Sequence, residues 1–141
     1  MNVLATVEAL GGAAVLGGEI RSETDLIERV EEGFSPEAIQ HLMRLGDLSE
    51  AEMGQIIPRR TLAHLKTRER LSAEQSDRLV RAAEVFTLAH TTFGDREKAN
   101  GWMRDPNRAL GGKTPLSLLR TGSGARLVEQ ILTRIGYGVY S

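Results

Sequence analysis

Few residues in this 141-residue chain are placed to do chemistry, and most of them fail on spacing. Gly112, Lys113 and Thr114 close a segment that begins at Asn107 and invites comparison with a phosphate-binding loop. That loop needs a glycine where Asn107 stands and a strand before it to aim backbone amides at phosphate, and the chain offers neither. The segment is expected to be a tight turn whose glycines accept positive φ. His41, His64 and His90 fall on separate expected helices and do not make a metal site. No serine sits in a nucleophile turn, and the absence of cysteine excludes thiolate catalysis, disulfides and cysteine-ligated zinc. Glu31 and Glu32 read as a solvated helix surface. Neither catalysis, a cofactor nor a metal is expected.

Basic residues give a better lead. A helix expected from Ser49 to about Ile56 is followed by a break at Ile57 and Pro58. A second helix would then carry Arg59, Arg60, Thr61, His64, Lys66, Arg68 and Arg70. Two short helices joined in this way suit a helix-turn-helix, whose second helix enters the major groove of DNA. Arg60 and His64, at i and i+4, share a face and are the candidates for reading bases, with Thr61 beside them. Arg59, Lys66, Arg68 and Arg70 are candidates for phosphate. The competing reading is a helical hairpin with a solvated basic face. Charge is unevenly divided: residues 1–57 hold 3 basic and 11 acidic side chains, residues 58–141 hold 15 and 8. Clustered cations of this kind, rather than net charge, give affinity for nucleic acid or an acidic protein.

The elements that would position these residues are helical. Aromatic residues make up only 4% of the chain, while Ala, Leu, Glu and Arg are abundant, so the expected class is all-α. The first 20 residues should be irregular, or a short helix broken by Gly11–Gly12 and Gly17–Gly18. Ser35 before Pro36 marks a helix start with Ile39, Leu42 and Met43 on its apolar face. Ser49 with Glu52, and Ser72 with Gln75, fit the capping box. Leu79, Ala83, Phe86 and Phe93 then define a long helix ending near Gly94, followed by a short one from about Asp95 to Met103. Thr114 and Pro115 restart a helix with Leu116, Leu118 and Leu119. A last helix from about Ser123 carries Leu127, Val128, Ile131, Leu132 and Ile135, with Gly136 as its left-handed terminator. Trp102 is expected to join the last helices to the middle ones. No stretch suits a membrane span or a signal peptide, and a cytoplasmic protein is expected.

Residues Ala99 to Leu119 contain the pattern W-x-x-x-P-N-x-A-L-G-G-x-T-P-L-x-L-L, starting at Trp102. Thr121, Gly124 and Ala125 follow it, and the run Arg134, Ile135, Gly136, Tyr137, Gly138, Val139, Tyr140 closes it. This long pattern resembles the toxin-binding domain of the Xre/MbcA/ParS antitoxin family over roughly the last 45 residues. Upstream, Arg60, Thr61, Leu62, Leu71, Ser72, Arg78 and Arg81 are similar in texture to the family's Xre-type helix-turn-helix. The turn departs from strong helix-turn-helix sequences, because Pro58 stands where a glycine is usual.

The resemblance implies a partner: a RES-domain toxin that resembles ADP-ribosyltransferases and consumes NAD. It further implies inhibition by plugging, with Tyr137, Gly138, Val139, Tyr140, Ser141 and the chain-end carboxylate lying at the toxin's active-site mouth. A tail with two tyrosines and no charged side chain agrees with that, since aromatic anchors are typical of binding hot spots. Operator DNA and a homodimer within a larger toxin–antitoxin complex are the other implied partners. The expected organisation is residues 1–34 as an N-terminal irregular or helical segment, 35–94 as the helix-turn-helix, and 95–141 as a small helical toxin-binding domain. Two alternatives stand beside it: a free-standing transcription regulator whose C-terminal domain serves dimerisation, and an enzyme acting on nucleotides through Gly111, Gly112 and Lys113.

Overall fold

The computed structural model describes residues 2–65 and 67–138. Among the described residues there are nine α-helices, two single 3-10 turns and no strand. The helices are α1 (Val3–Ala9), α2 (Ala13–Leu16), α3 (Glu23–Glu32), α4 (Glu37–Gly46), α5 (Glu50–Met53), α6 (Arg59–Leu65), α7 (Ala73–Phe93), α8 (Arg96–Arg104) and α9 (Gly122–Gly136). The 3-10 turns are Arg108–Leu110 and Leu116–Leu118.

α7 organises the molecule. Both halves of its capping box form, Ser72 Oγ accepting from the Gln75 amide at 3.1 Å and Gln75 Oε1 from the Ser72 amide at 2.9 Å. Gly94, at φ 65, ends it as expected. α1, α3, α4, α8 and α9 all pack against it. Its buried residues include Ala82, Ala83 and Ala89, whose small side chains let the neighbouring helices come close, and Phe86, which fills the centre. The α4 crossing is tight: a Cβ built on Gly46 would lie 2.8 Å from the Phe86 ring. Glycine there is a packing requirement.

Helix starts follow their caps. Ser35 Oγ accepts from the Glu37 amide at 3.3 Å and Pro36 already has helical angles, so α4 begins as the sequence indicates. The first residues resolve into the glycine-broken alternative, with Gly11, Gly12, Gly17 and Gly18 all at positive φ around α2. α3 is the helix whose surface Glu31 and Glu32 were expected to occupy, and Ser22 caps it by accepting from the Asp25 amide at 3.1 Å.

Three expectations need correction. Thr114 and Pro115 do not restart an α-helix. Ser117 turns back to bond Thr114, and the segment closes as one 3-10 turn before Thr121 caps α9. Leu127 is 41% exposed and lies off the buried stripe, which runs through Ala125, Val128, Ile131 and Leu132 with Ile135 at its edge. Gly136 is the last helical residue, not the left-handed terminator. Positive φ falls two residues later at Gly138, whose amide donates to Ile135 O. Trp102 packs half-buried against Phe93, ring centroids 5.7 Å apart, joining α8 to the end of α7.

Candidate DNA-reading helix and toxin-facing terminus

α5 and α6 form the expected pair. Ser49 and Glu52 make a complete capping box at the start of α5. Met53, Ile56 and Ile57 are fully buried, so the turn between the helices is anchored by side chains and needs no left-handed glycine. Pro58 then supplies the carbonyl for the first helical hydrogen bond of α6, from Leu62 N at 3.0 Å. A proline is tolerated here because amides at the start of a helix have no intrahelical acceptor, so its missing N–H costs no helical bond.

α6 buries Leu65 and half-buries Thr61 and Leu62, which fixes its rotation. Arg59, Arg60 and His64 are consequently exposed, with Arg60 and His64 one turn apart on the outer side. Thr61 faces partly inward and is less available than the sequence suggested. Arg59 lays its aliphatic stem over Gly54, where a Cβ would meet Arg59 Cγ at 2.6 Å. The structure shortens the helix: it is described over Arg59–Leu65, the chain is in a turn by Thr67, and Thr67 Oγ1 donates to the His64 carbonyl at 3.1 Å. Arg68 and Arg70 therefore lie beyond it, exposed in the link to α7. Lys66 lies outside the described residues. None of the ion pairs among the described residues involves Arg59, Arg60 or Arg68. These cations are thus free for an outside anion.

The other candidate site is the end of α9. Thr121 Oγ1 caps the helix by accepting from the Gly124 amide at 3.0 Å, and the buried stripe holds it along α7. Tyr137 follows the last helical residue with 80% of its surface exposed. Gly138, exposed at φ 71, turns the chain there. Val139, Tyr140 and Ser141 lie outside the described residues.

The Asn107–Lys113 segment spends its amides on itself. Asn107 O accepts from Leu110 and Gly112, Asn107 Oδ1 from Ala109, and Asn107 N donates to Lys113 O. A phosphate cradle needs those donors pointing outward. Among the described residues no group of three or more potential ligands could hold a metal ion.

Sequence reasoning missed a cluster of polar side chains on α8. Arg96, Asn100 and Arg104 recur every four residues and donate to the C-terminal end of α4. Asn100 Oδ1 also pairs with His90 Nε2 at 2.8 Å. Their i, i+4, i+8 spacing was the available signal. A second titratable group lies apart: Glu84 of α7 and Glu129 of α9 line a cavity of about 560 Å³ with Asn2, Thr6, Thr87, Thr91 and Thr133. Burial, and secondarily the charge of Glu129, pushes the Glu84 carboxyl up to about 7. Burial also raises Glu129.

Two family descriptions match the chain. The antitoxin Xre-like helix-turn-helix domain covers residues 25–84, and the antitoxin Xre/MbcA/ParS C-terminal toxin-binding domain covers residues 88–138. Antitoxin Xre of Pseudomonas putida is 35% identical over 124 residues, spanning 86% of this chain and 78% of that protein. The chain belongs to the Xre antitoxin family. Antitoxin Xre of Yersinia enterocolitica is 34% identical over 84% of this chain and 82% of its own length. A chain of the M. tuberculosis MbcT–MbcA toxin–antitoxin complex superposes with a TM-score of 0.54 at 26% identity, over 73% of this chain and 94% of that one. This antitoxin therefore pairs a helix-turn-helix with a toxin-binding domain and belongs to a regulatory, non-enzymatic class. Among the described residues no helix is long and apolar enough to cross a membrane.

Proposed function

We propose that this antitoxin neutralises a RES-domain, NAD-consuming toxin with its C-terminal segment, and represses its own operon by binding operator DNA through α6. The observation that carries the first part is Tyr137, an aromatic ring 80% exposed at the end of a helix whose buried stripe fixes its direction. An exposed aromatic of this size is a typical anchor for a concave partner surface. The segment Tyr137, Gly138, Val139, Tyr140 and Ser141 is assigned to the mouth of the toxin's active site, where it excludes NAD. The M. tuberculosis neighbour, taken from a toxin–antitoxin complex, supports a protein partner of this kind.

The second part is supported by the exposed, unpaired Arg59 and Arg60 beside His64 on the second helix of the motif. Arg60 and His64 are assigned to base edges, with Thr61 at the flank, and Arg59, Lys66 and Arg68 to phosphate. A palindromic operator would be read by two copies of the antitoxin within the complex.

Deleting residues 137–141 is expected to abolish rescue of cells that express the neighbouring toxin while leaving the gel shift of the operator fragment intact. Rescue by the shortened protein would rule out the plug.

A further inference from the structure

α8 lies within the toxin-binding match, yet its polar side chains bond residues of the helix-turn-helix match. An α-helix leaves its last carbonyls without intrahelical partners. In α4 these belong to Leu45, Gly46 and the cap residue Asp47, which stands at φ 51, and the Arg44 carbonyl has only a long 3.4 Å bond from the Asp47 amide. α8 supplies donors for all four: Arg96 to the Arg44 carbonyl, Asn100 Nδ2 to Leu45 O at 3.2 Å, Arg104 Nη2 to Gly46 O at 2.8 Å and also to the Asp47 carbonyl. Two of the three donors are cations, which suit the negative end of a helix.

Arg104 does more than cap. Its Nε lies 2.6 Å from Glu52 Oε2 and its Nη2 3.2 Å from Glu52 Oε1, both residues half-buried. Glu52 Oε1 is also the oxygen that accepts the Ser49 amide in the capping box of α5. One guanidinium therefore grips the end of α4 and the first turn of α5 together. It ties α4 to α5, and the fully buried Ile56 and Ile57 join α5 to α6. The hydrogen bond from Arg104 is the largest influence holding the Glu52 carboxyl below its usual range, consistent with an ionised pair. With Nη1 also donating to Asn100 O at 3.2 Å, Arg104 meets five acceptor atoms, which the planar, multi-donor fork of arginine suits.

We propose that Arg104, although it lies within the toxin-binding region, is a positioning residue for DNA recognition: it aligns α4 and α5 so that α6 presents Arg60 and His64 at the correct angle. This rests on α6 being the DNA-reading helix. Arg104 touches no base or phosphate in this scheme, so its loss should lower affinity without changing the number of phosphates contacted.

The experiment compares wild type, Arg104→Gln and Arg104→Lys in three measurements. These are binding to a duplex from the region upstream of the antitoxin gene at two or more salt concentrations, rescue of cells expressing the neighbouring toxin, and the thermal melt. Arg104→Gln is expected to bind the duplex at least tenfold more weakly, with the same slope of log affinity on log salt, while still rescuing cells. Arg104→Lys should fall between the two. A folded Arg104→Gln with wild-type affinity overturns the proposal. So does a drop in salt slope of about one, which would make Arg104 a phosphate contact. Joint loss of DNA binding and rescue in a protein that still melts cooperatively overturns it too. If Arg104→Gln does not fold, Arg104→Lys decides, and wild-type affinity in that variant refutes the idea. Failure of wild type itself to bind the duplex would instead bring down the assignment of α6, and this inference with it.

Discussion

Arg60 and Arg68 look alike in the sequence, yet the structure gives them different surroundings. Arg60 stands on the rigid outer side of α6, one turn from His64, whereas Arg68 follows the helix in the link to α7. A base contact needs a fixed side-chain origin, while a phosphate contact tolerates movement. Arg60→Ala is therefore expected to weaken operator binding by about 1–3 kcal/mol and to relax preference at one base pair. Arg68→Ala should weaken all sequences alike and lower the salt slope by about one. Gel shifts on operator and scrambled duplexes at two salt concentrations separate the two, and a salt-slope change in Arg60→Ala alone would reverse the assignment. Residue identity was legible here, but the extent of α6 was not: no capping residue marks the stretch before Arg68, and the basic residues continue past the helix. Glu84 makes a similar point. Its folded carboxyl is pushed up to about 7, so between about 4.5 and about 7 the native state holds a proton that the unfolded chain has released. Stability should thus fall as pH rises through that window, with the full penalty present above it. Allowing for partial solvent screening, Glu84→Gln is expected to gain about 1–2 kcal/mol at pH 7.5 and to flatten the profile. Denaturant melts at pH 5 and 7.5 test this, and parallel profiles for variant and wild type would contradict it.

Helices announced by a hydroxyl cap and a partner three residues on lie where the sequence places them, because that pattern is a local exchange of hydrogen bonds. α7 is the clearest case, from the Ser72–Gln75 box to Gly94. α3 has a related signal in Ser22 and Asp25, and its paired Glu31 and Glu32 read as a helix surface, but its mostly charged residues left its bounds unset. The stretch after Pro115 carries three leucines that imitate a helix, but its amides bond three residues back, Leu118 to Pro115 and Leu119 to Leu116, so it closes as a 3-10 turn before the Thr121 cap. Leu127 differs for a related reason: neighbouring apolar residues on one helix cannot all face the core, and only α7 decides which do. The caps also carry weight in the DNA-reading unit. Ser49→Ala removes the hydroxyl that accepts the Glu52 amide at 3.1 Å and leaves Glu52 held there only by the backbone amide of residue 49. Such a loss costs about 1 kcal/mol in stability. Because Glu52 also receives Arg104, operator affinity should fall with it, whereas Ser35→Ala at the start of α4 should lower the melting temperature and leave operator affinity near wild type. Equal effects of both variants on DNA binding would argue against a special role for the α5 cap.

At the scale of the molecule, the long pattern from Trp102 to Leu119 makes the family legible in the amino-acid sequence alone. What a linear pattern does not convey is that the two regions share one interior. The helix-turn-helix match ends at residue 84 and the toxin-binding match begins at 88, both inside α7. Asn100 and Arg104 belong to the second region by sequence and to the first by contact. A motif records which residues recur, not which carbonyl they reach across the fold. Cutting the chain after Gly94 would uncover the side of α7 that packs against Val128, Ile131 and Leu132, each of which contributes about 1.5–3 kcal/mol when fully buried. That loss is comparable with the whole stability of an ordinary domain, about 5–15 kcal/mol. It also removes the donors to the end of α4. Residues 1–94 are therefore expected to lack a cooperative thermal transition and to bind a hydrophobic dye, although they contain every residue assigned to DNA. Circular dichroism melts of the truncated and full-length chains provide the check. A fragment that melted cooperatively and shifted the operator duplex would show that α7 needs only its N-terminal partners, and that the division near residue 94 is a true boundary between independent units.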